Sequence, residues 1–305
     1  MKKLIVVFTI LIMLLSLTAS LAGAVSYGHD DYRTFTTARG ETVQVQNAGI
    51  YRYSLQALVT CGTPWDFVRL LVGIPLLLVS FVLYRRGSPR GTVVFIGCLA
   101  SFLYQYLLWT FDWAYNALFL IYVAIFSLSL WTLVFVLAGV DRTQIRAAIG
   151  ERFPVRTVAG FSFAVGGLLL MKCLGEIVPG LGSNTLPAVA TGYYTLVDQA
   201  LDLGLLAPFC VLSGVLLLKR DCLGYLLSSS SLITLFSIGL SVIAGEIMFG
   251  MSIGRVNVAG VAVFSIFVIV ALALLAAVLA SIKGSHSAAA ASSHLPANPS
   301  FKRTA

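Results

Sequence analysis

Two apolar runs decide how this chain is read: VAGFSFAVGGLLLMKCLGEIV at Val158–Val178 and VDQALDLGLLAPFCVLSGVLLL at Val197–Leu218. Each has about the 20 residues that cross a bilayer as a helix. Each also carries ionisable residues where a lipid-exposed span carries none, Lys172 and Glu176 in the first and Asp198 and Asp202 in the second. Both pairs have i, i+4 spacing, which puts each pair on one helical face. The expectation is a helical hairpin holding a polar site, with the rest of the chain as its scaffold.

Outward from the hairpin the same pattern repeats. Phe67–Tyr84, Thr92–Phe111 and Ala117–Val140 precede it, and Leu223–Met248 and Val258–Ile282 follow. Of 305 residues, 59% are apolar and 10% charged. Soluble domains carry about 25% charged residues, so the chain belongs to the all-α polytopic membrane class. The +8 net charge does not indicate a nucleic-acid partner, because the cations fall in short clusters between spans. Arg85, Arg86, Arg90, Arg142, Arg146, Arg152, Arg156, Lys219, Arg220 and Lys283 fall on one side, and Arg33, Arg39, Arg52, Arg69 and Arg255 on the other. The positive-inside rule makes the first side cytoplasmic and the C-terminus with it.

Residues 1–24 have two readings. Lys2-Lys3, the apolar Leu4–Leu17 and Ala22-Gly23-Ala24 fit a signal peptide cut after Ala24. Leu4–Ala24 is equally long enough to be a first span, so seven or eight transmembrane helices are expected. Residues 25–66 form an external β-rich segment. Tyr32–Thr37, Thr42–Gln46 and Ile50–Ser54, separated by Ala38-Arg39-Gly40 and Asn47-Ala48-Gly49, predict a small three-stranded meander packed on the membrane domain, with a loop as the alternative. Thr63-Pro64-Trp65-Asp66 offers an N-cap, a proline at the first helical position and an acid, which starts the next helix. The transmembrane domain then occupies 67–283, and the Ala/Ser/Pro-rich 284–305 reads as a disordered cytoplasmic tail.

The site follows from counting rise. Lys172 stands about 24 Å above Arg156, and Asp202 about 25 Å above Lys219, so the two are level on antiparallel neighbours. Glu176 and Asp198 are level about 30 Å up, and Asp112 and Glu246 also fall near the outer surface. Together Lys172, Glu176, Asp198, Asp202, Asp112 and Glu246 make a candidate ligand or ion-coupling cluster, with Arg69 and Arg255 within reach from the rim. The alternative is a structural ion pair between Lys172 and Asp202 with the remaining acids snorkelling to the interface.

No histidine lies in any span, which excludes histidine-based catalysis there, and the five cysteines form no C-x-x-C. No catalytic constellation, metal set or cofactor motif is present in the sequence. Pro75 and Pro208 are expected to kink their spans. Ser228–Ser231 with Ser237, Gly239 and Ser241 suits close helix packing, and Trp109, Trp113 and Tyr115 suit an outer aromatic belt. Spans two to four and five to seven run in opposite senses, as an inverted repeat requires, without sequence similarity between them.

Ile50-Tyr51-Arg52-Tyr53, Gly62-Thr63-x-x-Asp66, Arg86-Gly87-Ser88-Pro89-Arg90-Gly91 and Ala114-Tyr115-Asn116-x-Leu118-Phe119 running into Phe126–Leu130 resemble an uncharacterised family of bacterial multi-spanning inner-membrane proteins. The resemblance is densest over Gly49–Leu130 and thinner to Arg220. It implies a bacterial cytoplasmic membrane and brings no activity or catalytic residue. The expectation for function is a non-catalytic binding, sensory or accessory membrane protein, meeting a protein partner or small ligand on the external side. The alternative is a secondary transporter or ion-coupled carrier.

Overall fold

The structure, a computed structural model, describes residues 1–26, 31–183 and 185–283. The tail expected over 284–305 lies outside them. Among the described residues eight helices are long and apolar enough to cross a membrane: α1 (Lys2–Val25), α2 (Gln56–Arg85), α3 (Pro89–Phe111), α4 (Phe119–Gly139), α6 (Val155–Ser183), α7 (Val197–Leu218), α8 (Cys222–Ser252) and α9 (Val258–Ser281). A short α5 (Arg142–Ala148), capped by Asp141, joins α4 to α6. The central span is α3, 83% buried where every other span is below 40%.

The segment between α1 and α2 departs from the expected meander. Two antiparallel strands form, β1 (Tyr32–Thr36) and β2 (Thr42–Gln46), paired from Tyr32↔Gln46 to Thr36↔Thr42. The third expected strand, Ile50–Ser54, is a set of turns with Tyr53 at φ 74°. Tyr51 there points inward and is 1% exposed, an aromatic anchor rather than a rung of a ladder. The next helix begins at Gln56, well before Thr63-Pro64, and Pro64 sits inside α2. The cap-like sequence is therefore helix interior, and the segment between α1 and α2 ends near Leu55.

Pro75 and Pro208 are accommodated in the same way. Each removes an N–H from its span and crowds the preceding turn. In α2 the turn Arg69–Gly73 widens to π geometry, closed by Ile74 N–H on the Arg69 carbonyl. In α7 the turn Asp202–Leu206 does the same, closed by Ala207 N–H on the Asp202 carbonyl. One extra residue per turn absorbs the missing bond.

This correspondence extends well beyond the prolines. Adding 133 to a position in α2–α3 gives its counterpart in α7–α8: Arg69 and Asp202, Pro75 and Pro208, Ser80 and Ser213, Gly91 and Gly224. Ser80 Oγ donates to the Leu77 carbonyl at 3.0 Å, and Ser213 Oγ to the Cys210 carbonyl at 2.9 Å. The turns after the two spans close alike, with Gly87 at φ 73° and Arg220 at φ 54°. Ser88 N–H bonds the Leu83 carbonyl, and Asp221 N–H the Leu216 carbonyl. Ser88 and Asp221 then cap α3 and α8 with their side chains. Both members of each pair run the same way through the bundle. The repeat is parallel, relating spans two and three to spans six and seven. Its two halves meet where α3 crosses α8. Ser230 Oγ lies 3.4 Å from the Val93 carbonyl oxygen and Thr234 Oγ1 3.3 Å from that of Gly97, and a Cβ at Gly97 would lie 2.7 Å from Ile233. Ser228–Ser231 are wholly buried, each hydroxyl returned to its own helix backbone, the close-packing role their sequence suggests.

Candidate functional site

The β1–β2 hairpin covers one end of the bundle and is fastened there by its own turn. Arg39 donates to the carbonyls of Ala190 (2.9 Å) and Tyr193, and pairs with Glu41 at 3.3 Å. Glu41 accepts the Gly192 N–H at 3.1 Å, and that amide holds its carboxyl below the usual range. Gly192 adopts φ 81°, and Leu55 and Val43 crowd the place a Cβ would take. The hairpin and the 185–196 loop thereby form one cover.

Three cavities lie beneath it, and Asp112 borders all of them. The largest, about 390 Å³, separates the hairpin (Phe35, Val43) from the helix ends and the Gly192–Thr195 segment. A second, about 190 Å³, descends between α2, α3, α7 and α8, walled by Trp65, Trp109 and Trp113 and bordered by Asp198 and Glu246. The third, about 200 Å³, lies against Tyr193, Thr195 and Gln199 and also meets Asp198. Among the described residues no lysine or arginine borders the two smaller cavities. Asp112 follows the last residue of α3 and is half-buried; burial and the Asp198 carboxylate push its carboxyl up to about 7. Burial, Asp112 and Asp198 likewise raise the Tyr193 phenol above its ordinary value.

The six residues expected to form one cluster are thus divided between two levels. Asp112, Asp198 and Glu246 surround the cavities. Lys172 and Asp202 lie deeper and form an ion pair at 3.6 Å, as their equal rise predicts. Asp202 also accepts the Tyr104 hydroxyl at 2.6 Å and lies 3.8 Å from Cys173 Sγ. Glu176, between the levels, accepts Gln199 Nε2 at 3.0 Å. Arg255 makes no ion pair, since those among the described residues are Arg39–Glu41 and Lys172–Asp202.

Arg69 is not at the rim. It is 3% exposed, donates to Gln105 through Nε (2.8 Å) and to the Ser101 carbonyl (3.2 Å), and lies 4.0 Å from the centre of the Phe102 ring. One turn earlier on α2, Asp66 is equally buried and accepts the Tyr51 hydroxyl, which in turn accepts Trp109 Nε1–H at 3.3 Å. Gly23 of α1 lies directly over this pair, and a Cβ there would fall 2.1 Å from Asp66 Oδ2. Trp109 and Trp113 belong to this interior: Tyr51 and Trp113 have ring centres 4.0 Å apart, and only Tyr115 faces outward as a belt residue would. Reading α2 from Gln56 was the signal that would have found this second polar set, because Asp66 and Arg69 then fall mid-helix in an apolar run.

Chemically, the upper cavities present carboxylates and indole faces. Both attract a cation, the first by charge and the second by the ring quadrupole. Among the described residues no group of three His, Cys, Asp or Glu side chains is placed to hold a metal ion. No family model, no curated protein and no solved structure matches this chain.

Proposed function

We propose that this protein is a non-catalytic binding or sensory component of a bacterial cytoplasmic membrane, and that it takes a small organic cation from the external side. The observation that carries the reading is the convergence of Asp112, Asp198 and Glu246 on tryptophan-walled cavities with no basic side chain in the inner two. A cationic amine fits such a site, with one polar group fixed by carboxylate and the remainder against the rings. The sidedness of the basic clusters supports an orientation with the hairpin outside and residues 85–90 and 141–157 in the cytoplasm. Retention of residues 1–24 as a first span is the reading that the burial of Ile5, Ile12, Ser16, Ala19 and Gly23 of α1 against the bundle supports.

The test is thermal unfolding of the purified protein in nanodiscs with choline and spermidine, and with glutamate as the anionic control. Stabilisation by either cation, reduced tenfold or more in apparent affinity by Asp112→Asn with Glu246→Gln, is the expected result. No shift with any cation, or an equal shift with glutamate, overturns it.

Ion-coupled transport is the second reading, favoured by the two π turns that interrupt spans at an ionisable residue. It requires proton- or sodium-driven uptake of the same cation into proteoliposomes. Stabilisation without uptake leaves the first reading standing alone.

A further inference from the structure

At the opposite end of the bundle a cavity of about 500 Å³ opens between the start of α1, the turn joining α2 to α3, and the end of α4. Its inner wall is apolar, with Ile5, Phe81 and Ile145 all buried. Its rim carries Lys2, Lys3 and Arg85, each exposed. The one acid on the rim, Asp141, already accepts the N–H groups of Thr143 (2.9 Å) and Gln144 (3.1 Å) as the cap of α5. None of the three cations forms an ion pair among the described residues. One side of the cavity is left open at Gly139, where an added Cβ would meet no atom within 4 Å.

We infer that this cavity holds the phosphodiester headgroup of an anionic phospholipid. Lys2 and Lys3 begin a helix whose following residues are lipid-length and apolar, so the rim stands at headgroup level. Unpaired cations at that level, between spans, attract an anionic headgroup. An apolar wall directly below them suits the glycerol and first methylenes of a lipid, and a free phosphate has no use for it. The site depends on retention of residues 1–24, which supply two of the three cations.

Native mass spectrometry of the full chain, released from nanodiscs containing phosphatidylglycerol and phosphatidylcholine in equal amounts, tests this. The intact mass in the same spectrum reports whether residues 1–24 are present, so cleavage is distinguished from failure of the site. The expected result is preferential retention of phosphatidylglycerol, lowered at least fivefold by Lys2→Gln with Lys3→Gln and Arg85→Gln. The charge-preserving Lys2→Arg, Lys3→Arg, Arg85→Lys variant keeps it. Gly139→Trp, which fills the cavity without altering charge, also lowers it. Equal retention of the two lipids, or undiminished retention in the glutamine variant, overturns the inference. Displacement of phosphatidylglycerol by millimolar glycerol phosphate would reassign the site to a soluble phosphate and overturn the lipid.

Discussion

Arg69 and Asp202 occupy matched places in the two halves of the bundle, each opening a π turn six residues before a proline, yet their surroundings are opposite. Arg69 is held wholly by α3, through a neutral amide, a serine and a ring face. Asp202 is held from two helices, by Tyr104 of α3 and Lys172 of α6, and that lysine's side chain is 46% exposed. The backbone device is common to both halves, and the neighbours decide its use. A sealed charge with neutral partners fixes the packing of α2 on α3. A charge whose counter-ion reaches in from an exposed flank can exchange that partner without unpacking a helix.

The sharpest way to break the comparison is Arg69→Met. It leaves the Gln105 and Ser101 acceptors buried and unmatched, and should cost about 3–5 kcal/mol, read as loss of monodisperse protein or a large fall in Tm. Gly23→Leu comes next. It drives a side chain into the Asp66–Tyr51 pair and should cost about 2–3 kcal/mol, provided residues 1–24 are retained, whereas a cleaved chain shows no change. On the other side, Asp202→Asn and Lys172→Met should each cost about 1–2 kcal/mol, with partial recovery in the double variant measured as a mutant cycle. Recovery smaller than the error would remove the ion pair from the account of stability.

The smallest effect concerns Asp112. Its carboxyl is raised in the folded state, so the folded protein holds a proton that the unfolded chain has released between pH 4 and 7. Stability therefore falls as pH rises through that window and levels off above it. Asp112→Asn should match the parent near pH 4 and exceed it by about 2–4 °C in Tm at pH 8. Cation affinity should move the other way in the parent, strengthening from pH 6 to pH 8 as the carboxylate forms.

The spans were legible because burial in lipid demands long apolar runs, and the Lys172–Asp202 pair because helical rise is a fixed length. The start of α2 was not. Thr63-Pro64 has the chemistry of a helix start, and nothing local reveals that the helix is already nine residues old at Pro64. That displacement concealed Asp66 and Arg69, whose burial depends on Gly23, Tyr51, Ser101 and Gln105 from distant parts of the chain. The three acids of the upper cavities were found by position. Their separation from Lys172 and Asp202 was not, since it depends on which sides of α3 and α7 face each other. The third strand failed for a related reason: Tyr51 is a good strand residue, but it buries more surface as an anchor beneath α1 than in an exposed ladder.

The offset of 133 has a bearing on assembly. It relates the α2–α3 pair to the α7–α8 pair, and the two pairs pack through Gly97 and Ser230, which are each other's counterparts. A symmetric dimer would bring one position from each copy together on its axis in just this way. The α2–α3 and α7–α8 pairs meet as the halves of such a dimer would, within one polypeptide, and carry charges of opposite sign at the same bend.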